Sequence, residues 1–251
     1  MKIIENVSYA EFEQCKYDVY LPDTDNFSTV VFFHGGGLIG GEKGSERFQN
    51  IGKGFVKYGY AFVSVEYRMY PNAKFPDYLE DAASAVAHVK NTIKQYGGND
   101  KIYVSGASAG AWLSTMICLD KKYLAKHGID SEEINGWIID SSQMTAHFNV
   151  LKFEQNEDER AQRINEYAPL FFVNEKTAFS KMLLFFYDQD IPTRPEGNML
   201  FIKTIQNFNP SADITYQFRK GGHCYASVQR DENGEYPFVK ETIKWLNERG
   251  E

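Results

Sequence analysis

The chain has 251 residues, 43% of them hydrophobic and 24% charged, a size and balance that suit one soluble α/β domain with a substantial core. A net charge of −7 without any long Lys/Arg cluster excludes a nucleic-acid footprint and argues against a polyanionic substrate. No stretch reaches the ~20 apolar residues of a membrane-spanning helix, and the three cysteines, Cys15, Cys118 and Cys224, are too few and too widely spaced for a disulfide framework or a structural zinc site.

Met1-Lys2-Ile3-Ile4-Glu5-Asn6 opens the chain without an apolar run or a small-residue cleavage site. No signal peptide is read there, and a cytoplasmic location is the expectation. Runs rich in β-branched and aromatic residues then alternate with helical patterns. Strands are predicted over 17–21, 29–33, 60–65, 102–105, 136–140, 182–187 and 213–218. Helices are predicted over 45–58, 76–96, 109–119, 198–207 and 237–248. Thr29-Val30-Val31-Phe32-Phe33 and Met182-Leu183-Leu184-Phe185-Phe186 show no polar face, which is how strands covered on both sides read. Leu79, Ala82, Ala83, Val86 and Val89 form a helical stripe. The alternation implies a single domain, 1–251, with a mostly parallel central sheet and helices on both faces. Residues 143–176 break the rhythm: they offer no clear strand and carry a charged run over 154–163. That segment reads as a helical excursion, either a solvated one or a short cap over a pocket.

The sequence Ile102-Tyr103-Val104-Ser105-Gly106-Ala107-Ser108-Ala109-Gly110-Ala111 contains G-x-S-x-G between an apolar strand and an apolar helix. A serine on so sharp a strand-to-helix turn is exposed at the carboxyl edge of the sheet, as a nucleophile must be. Gly106 and Gly110 sit where neighbouring backbone leaves no room for a Cβ. The first N–H groups of the following helix are unpaired and positive, so the N–H of Ala109 is a candidate donor to an oxyanion at Ser108.

Strand 29–33 runs into His34-Gly35-Gly36-Gly37-Leu38-Ile39-Gly40-Gly41. Three consecutive glycines cost backbone entropy on folding, and a function should offset that cost. A phosphate loop is excluded, because Lys43 is followed by Gly44 rather than by Ser or Thr. A loop whose N–H groups face a developing oxyanion is the better reading, with Gly36 and Gly37 as donors beside Ala109. His34 is expected to prop this loop.

Of the five histidines, His88 falls within a helix, His127 in a Lys-His-Gly turn, His147 in the excursion and His34 in the glycine loop. His223 remains, on the glycine-marked loop after the last strand, where an imidazole can reach a serine at the sheet edge and exchange protons near neutral pH. Two carboxylates, Asp188 and Asp190, follow the preceding strand. Asp190 is favoured as the orienting acid because the loop carries it outward toward His223; Asp188 is the fallback.

Taken together, Tyr17-Asp18-Val19-Tyr20-Leu21-Pro22, His34-Gly35-Gly36-Gly37, Val65-Glu66-Tyr67-Arg68, Phe75-Pro76-Asp77-Tyr78-Leu79-Glu80-Asp81, Gly106-Ala107-Ser108-Ala109-Gly110, the 188–190 loop and Gly222-His223 resemble the α/β-hydrolase superfamily. The similarity is to its carboxylesterase group, with hormone-sensitive-lipase-like, acetyl-xylan-esterase-like and kynurenine-formamidase-like members. It spans most of the chain. It implies a serine hydrolase of small carboxylic esters, with short acyl groups and a sugar as one possible alcohol. Ser108, Asp190 and His223 would form its triad, Gly36, Gly37 and Ala109 its oxyanion hole, and no metal or organic cofactor is implied. Two departures stand out: Cys224 replaces the small glycine common after the histidine, and the long N-terminal helices of lipase-like members are missing. An arylformamidase-like amidohydrolase with the same machinery is one alternative. A non-catalytic small-molecule-binding protein on the same fold is another. The expected partner is a small-molecule ester, with neither nucleic acid nor membrane; oligomeric state is left open.

Overall fold

The computed structural model describes residues 1–249. Strands without a polar face need cover on both sides, and the fold supplies it. The chain runs β1 (Lys2–Ser8), β2 (Lys16–Leu21), β3 (Phe27–Phe33), α1 (Glu46–Lys57), β4 (Ala61–Val65), α2 (Asp77–Thr92), β5 (Gly98–Ala107), α3 (Ala109–Leu119) and α4 (Lys122–Ala125). It continues with β6 (Gly136–Asp140), α5 (Phe148–Glu154), β7 (Met182–Gln189), α6 (Arg194–Phe208), β8 (Ile214–Gly222), α7 (Tyr225–Val228) and α8 (Pro237–Asn247). The strands form one eight-stranded sheet in the order β1-β2-β4-β3-β5-β6-β7-β8. β2 is antiparallel to both of its neighbours; from β4 to β8 every pairing is parallel.

Alternate residues of each central strand feed two separate cores. Val31 and Phe33 of β3, with Met182, Leu184 and Phe186 of β7, pack with α2, α3 and α6 on one face. Val30 and Phe32, with Leu183, Phe185 and Tyr187, pack with α1 and α8 on the other. Both faces of each strand are therefore apolar, which is the physical origin of the continuous hydrophobic runs. Cys15, Cys118 and Cys224 are buried and free. No helix of the described residues is long and apolar enough to cross a membrane.

Each predicted strand and helix is present, with ends shifted by a few residues. β1 was not expected from the sequence. It is an edge strand, mostly exposed, with a register shift between Ile4 and Val7, so it carries no strong hydrophobic pattern. Residues 143–176 contain α5, a 3-10 turn at Pro169–Phe172 and otherwise irregular chain. The segment is not merely solvated: Ala146, His147, Val150, Leu151 and Ala168 are buried. The parallel strands all point their carboxyl ends to one edge, and the loops gathered there build the site.

Candidate active site

Ser108 joins β5 to α3 with φ 56° and ψ −116°, a conformation that non-glycine residues rarely hold. The surroundings enforce it. Its N–H donates to the Asp140 carbonyl at 2.8 Å. A Cβ at Gly106 would lie 2.3 Å from the Gly110 carbonyl oxygen, and one at Gly110 would lie 2.0 Å from that of Phe33. Only glycines let the elbow close so tightly against β3.

His223 leaves the end of β8 and places Nε2 at 2.7 Å from Ser108 Oγ. Its Nδ1 lies 2.5 Å from Asp190 Oδ1. Burial pushes the Asp190 carboxyl up, but the hydrogen bond and charge of His223 outweigh it and hold the group below the usual carboxylate range. Asp188 points elsewhere: it is exposed, and its Oδ1 accepts the Gly221 N–H at 3.0 Å. The structure thus brings Ser108, His223 and Asp190 into one hydrogen-bonded line and leaves Asp188 outside it.

The glycine loop folds over the same edge. Gly36 and Gly37 have φ of 127° and 65°. A Cβ on Gly36 would stand 1.8 Å from the Gly40 carbonyl oxygen, so this turn admits only glycine. Among the described residues, the N–H groups of Gly36, Gly37 and Ala109 donate to no protein acceptor, which leaves all three free for a ligand oxygen.

His34 is fully buried behind the loop, with Nδ1 2.7 Å from the Gly35 carbonyl and Nε2 2.7 Å from Glu66 Oε1. Its own carbonyl accepts the Tyr67 hydroxyl at 2.7 Å, and the two rings stack. Glu66 also accepts the Lys43 N–H at 3.0 Å. Burial raises the Glu66 carboxyl, but the hydrogen bonds from His34 and Lys43 prevail and lower it. Arg68, next along, grips the buried Asp81 of α2 with both its N–H of the backbone and its guanidinium. The remaining histidines lie elsewhere. His147 caps α5 and is kept neutral by burial. His88 bonds Tyr17 Oη at 2.8 Å, and His127 faces Ser84.

A cavity of 440 Å³ opens above Ser108. Gly35, Gly36 and Gly37, Phe148, Ile191, His223 and Val228 line it, together with Glu42, Ser45, Arg47 and Phe48 from the start of α1 and the loop before it. Asn149, beside Phe148, donates its side-chain N–H to the Gly37 carbonyl at 2.6 Å, so α5 helps fix the glycine loop. Phe148 and Asn149 had no local signature in the sequence. Their role comes from where the 143–176 segment lands, and the break in the strand–helix rhythm there, read as a possible cap, was the hint.

Comparison with known proteins agrees with this architecture. A protein of Oryza sativa subsp. japonica, named as a probable isoprenylcysteine alpha-carbonyl methylesterase, is 30% identical over 152 residues, covering 59% of this chain and 34% of that protein. The chain thus spans about a third of the length of these curated relatives. The structure of a truncated carbohydrate esterase from gut microbiota superposes with a TM-score of 0.77 at 17% identity, covering 99% of this chain and 96% of that one. An esterase of Thermogutta terrifontis with bound propionate gives 0.77 at 23% identity, covering 98% and 94%. These likenesses establish the α/β-hydrolase fold. A family model described as BD-FAE matches residues 17–164, which takes in the glycine loop and Ser108, while Asp190 and His223 lie beyond the matched stretch. With more than half of its length matched, the chain belongs to the BD-FAE family.

Proposed function

We propose that the chain hydrolyses small carboxylic esters through an acyl-enzyme on Ser108. The observation that carries this reading is the unbroken line from Ser108 Oγ through His223 to Asp190, beside three unoccupied N–H donors. His223 Nε2 takes the Ser108 proton as Oγ attacks the ester carbonyl. The carbonyl oxygen becomes an oxyanion held by the N–H groups of Gly36, Gly37 and Ala109. The carbon–oxygen bond to the alcohol then breaks, and the imidazolium returns its proton to the leaving oxygen. Water, deprotonated by the same imidazole, attacks the acyl-enzyme and frees the acid and the serine. Asp190 keeps His223 in the required tautomer and supports its cation.

A short acyl group fits the site. Phe148 and Ile191 bound the cavity on the side of residues 143–176. The lining also includes Glu42, Ser45 and Arg47. The side chains of Glu42 and Arg47 make no hydrogen bond or ion pair among the described residues, although the Arg47 guanidinium lies 4.5 Å from the Phe48 ring centroid, and they suit a hydroxyl-bearing alcohol such as a sugar. The Oryza sativa relative named as a probable methylesterase, and solved neighbours that are esterases, support the reaction class.

The test is turnover of p-nitrophenyl esters of rising acyl length. Acetyl and propionyl esters are expected to give the highest kcat/KM, and Ser108→Ala to lower kcat by roughly 10⁴-fold or more. A Ser108→Ala protein that kept the parent rate would end this reading.

A further inference from the structure

The parallel order β5-β6-β7-β8 places the end of β6 between the strand that carries Ser108 and the two that carry Asp190 and His223. The residue at that position is Asp140, a fully buried carboxylate that the mechanism above does not use. Its contacts reach both halves of the site. Its backbone carbonyl accepts the Ser108 N–H at 2.8 Å. Its Oδ1 accepts the Tyr187 hydroxyl at 2.9 Å, and that hydroxyl in turn accepts the Ala226 N–H at 2.9 Å. Its Oδ2 accepts the Ser227 hydroxyl at 2.6 Å. Ala226 and Ser227 belong to α7, the single turn that directly follows His223 and Cys224. The neighbouring Ser141 adds a further tie, accepting the Cys224 N–H at 2.9 Å.

Both Asp140 oxygens therefore meet hydroxyl donors, an arrangement that suits a carboxylate. A charge so deeply buried is costly unless its partners satisfy it. The ionisable groups around it are Tyr187 on β7, Asp190 after β7, and His223 and Cys224 on the loop after β8; of these, the His223 cation is the one that the anion favours. We propose that Asp140 is a positioning residue of the active site: its carboxylate clamps the turn after His223 through Ser227 and Tyr187, sets the imidazole against Ser108, and supports the imidazolium formed during turnover. This inference rests on the esterase reading above.

The role has a pH signature. Burial pushes the Asp140 carboxyl up to about 6, while the bonds from Ser227 and Tyr187 pull it down. The anion is thus present above about pH 6 and lost below it. Asp140→Asn removes both the titration and the charge that favours the cation, so the acid limb of kcat/KM against pH should move to lower pH while the plateau falls about tenfold. Ser227→Ala leaves the carboxyl but deletes a bond that lowers it, so its acid limb should move to higher pH. Tyr187→Phe should move it in the same direction as Ser227→Ala, and it serves where Asp140→Asn does not fold.

The experiment is kcat/KM for p-nitrophenyl acetate from pH 4.5 to 9 in the parent and the three variants, with Tm measured alongside. Opposite displacements of the limb in Asp140→Asn and Ser227→Ala support the assignment; where Asp140→Asn is unfolded, upward shifts in Ser227→Ala and Tyr187→Phe do so. Variants with lowered Tm but limbs coincident with the parent's would overturn it, reducing the network to scaffolding. A parent that hydrolyses no ester on the panel would overturn the esterase reading itself, and this proposal with it.

Discussion

Asp188 and Asp190 stand two residues apart, one at the end of β7 and one just after it, and carry the same carboxylate, yet their surroundings give them different work. Asp190 is turned inward with its side chain buried against the His223 imidazole, while Asp188 remains in solvent and braces the backbone at Gly221. Asp190→Asn should lower kcat by roughly 10⁴, because the amide no longer supplies the anion that fixes the imidazole tautomer and supports its cation. Asp188→Asn removes one exposed acceptor and should cost less than about tenfold. Steady-state kinetics on p-nitrophenyl acetate checks both; a larger loss in the Asp188 variant would exchange the two roles. The sequence favoured Asp190 on loop reach and on the family resemblance. It offered no sign of Asp140, since an aspartate closing a short apolar strand looks the same whether it meets water or a buried cluster of hydroxyls.

At the level of elements, the glycine loop after β3 is held from behind by the loop after β4. His34, Glu66 and Lys43 form one chain of hydrogen bonds, Tyr67 secures the His34 carbonyl, and Arg68 ties the stretch to α2 through Asp81. This explains why Val65-Glu66-Tyr67-Arg68 reads as a motif although none of its side chains lines the cavity. Glu66→Gln keeps the size but gives up the charge opposite His34. It should lower stability by about 1–3 kcal/mol and kcat/KM on p-nitrophenyl acetate by roughly tenfold, as the donors of Gly36 and Gly37 drift from position. Denaturant unfolding and the same assay check the pair; a loss of stability with unchanged kcat/KM would show that the loop holds its shape unaided. Long elements with a clear period were legible: the covered strands, the α2 stripe and the apolar α3. β1, α4 and α7 were not, and α5 was read only as part of a helical excursion over 143–176. β1 exposes most of its residues, and α5 and α7 span only 7 and 4 residues, too short for a period to register. Tertiary contacts hold the two short helices in place, Asn149 against Gly37 for one and Ser227 against Asp140 for the other.

Across the whole molecule, the site is a consequence of strand order. Ser108, Asp190 and His223 are separated by up to 115 positions in the chain, but β5, β7 and β8 all end at one edge within four adjacent strands. Motifs pointed to Ser108 and His223 because each lies on a glycine-marked turn, and the end of β7 narrowed the acid to two aspartates. The neighbours that complete the site, Asp140 below and Phe148 above, are set by sheet order and by the path of residues 143–176, which no local pattern encodes. The most direct measurement of the central claim is fluorophosphonate labelling followed by peptide mapping. A serine activated by His223 predicts a single adduct on Ser108, abolished by His223→Ala. Ester turnover with no adduct on Ser108, or an adduct of equal yield in the His223→Ala protein, would contradict the account.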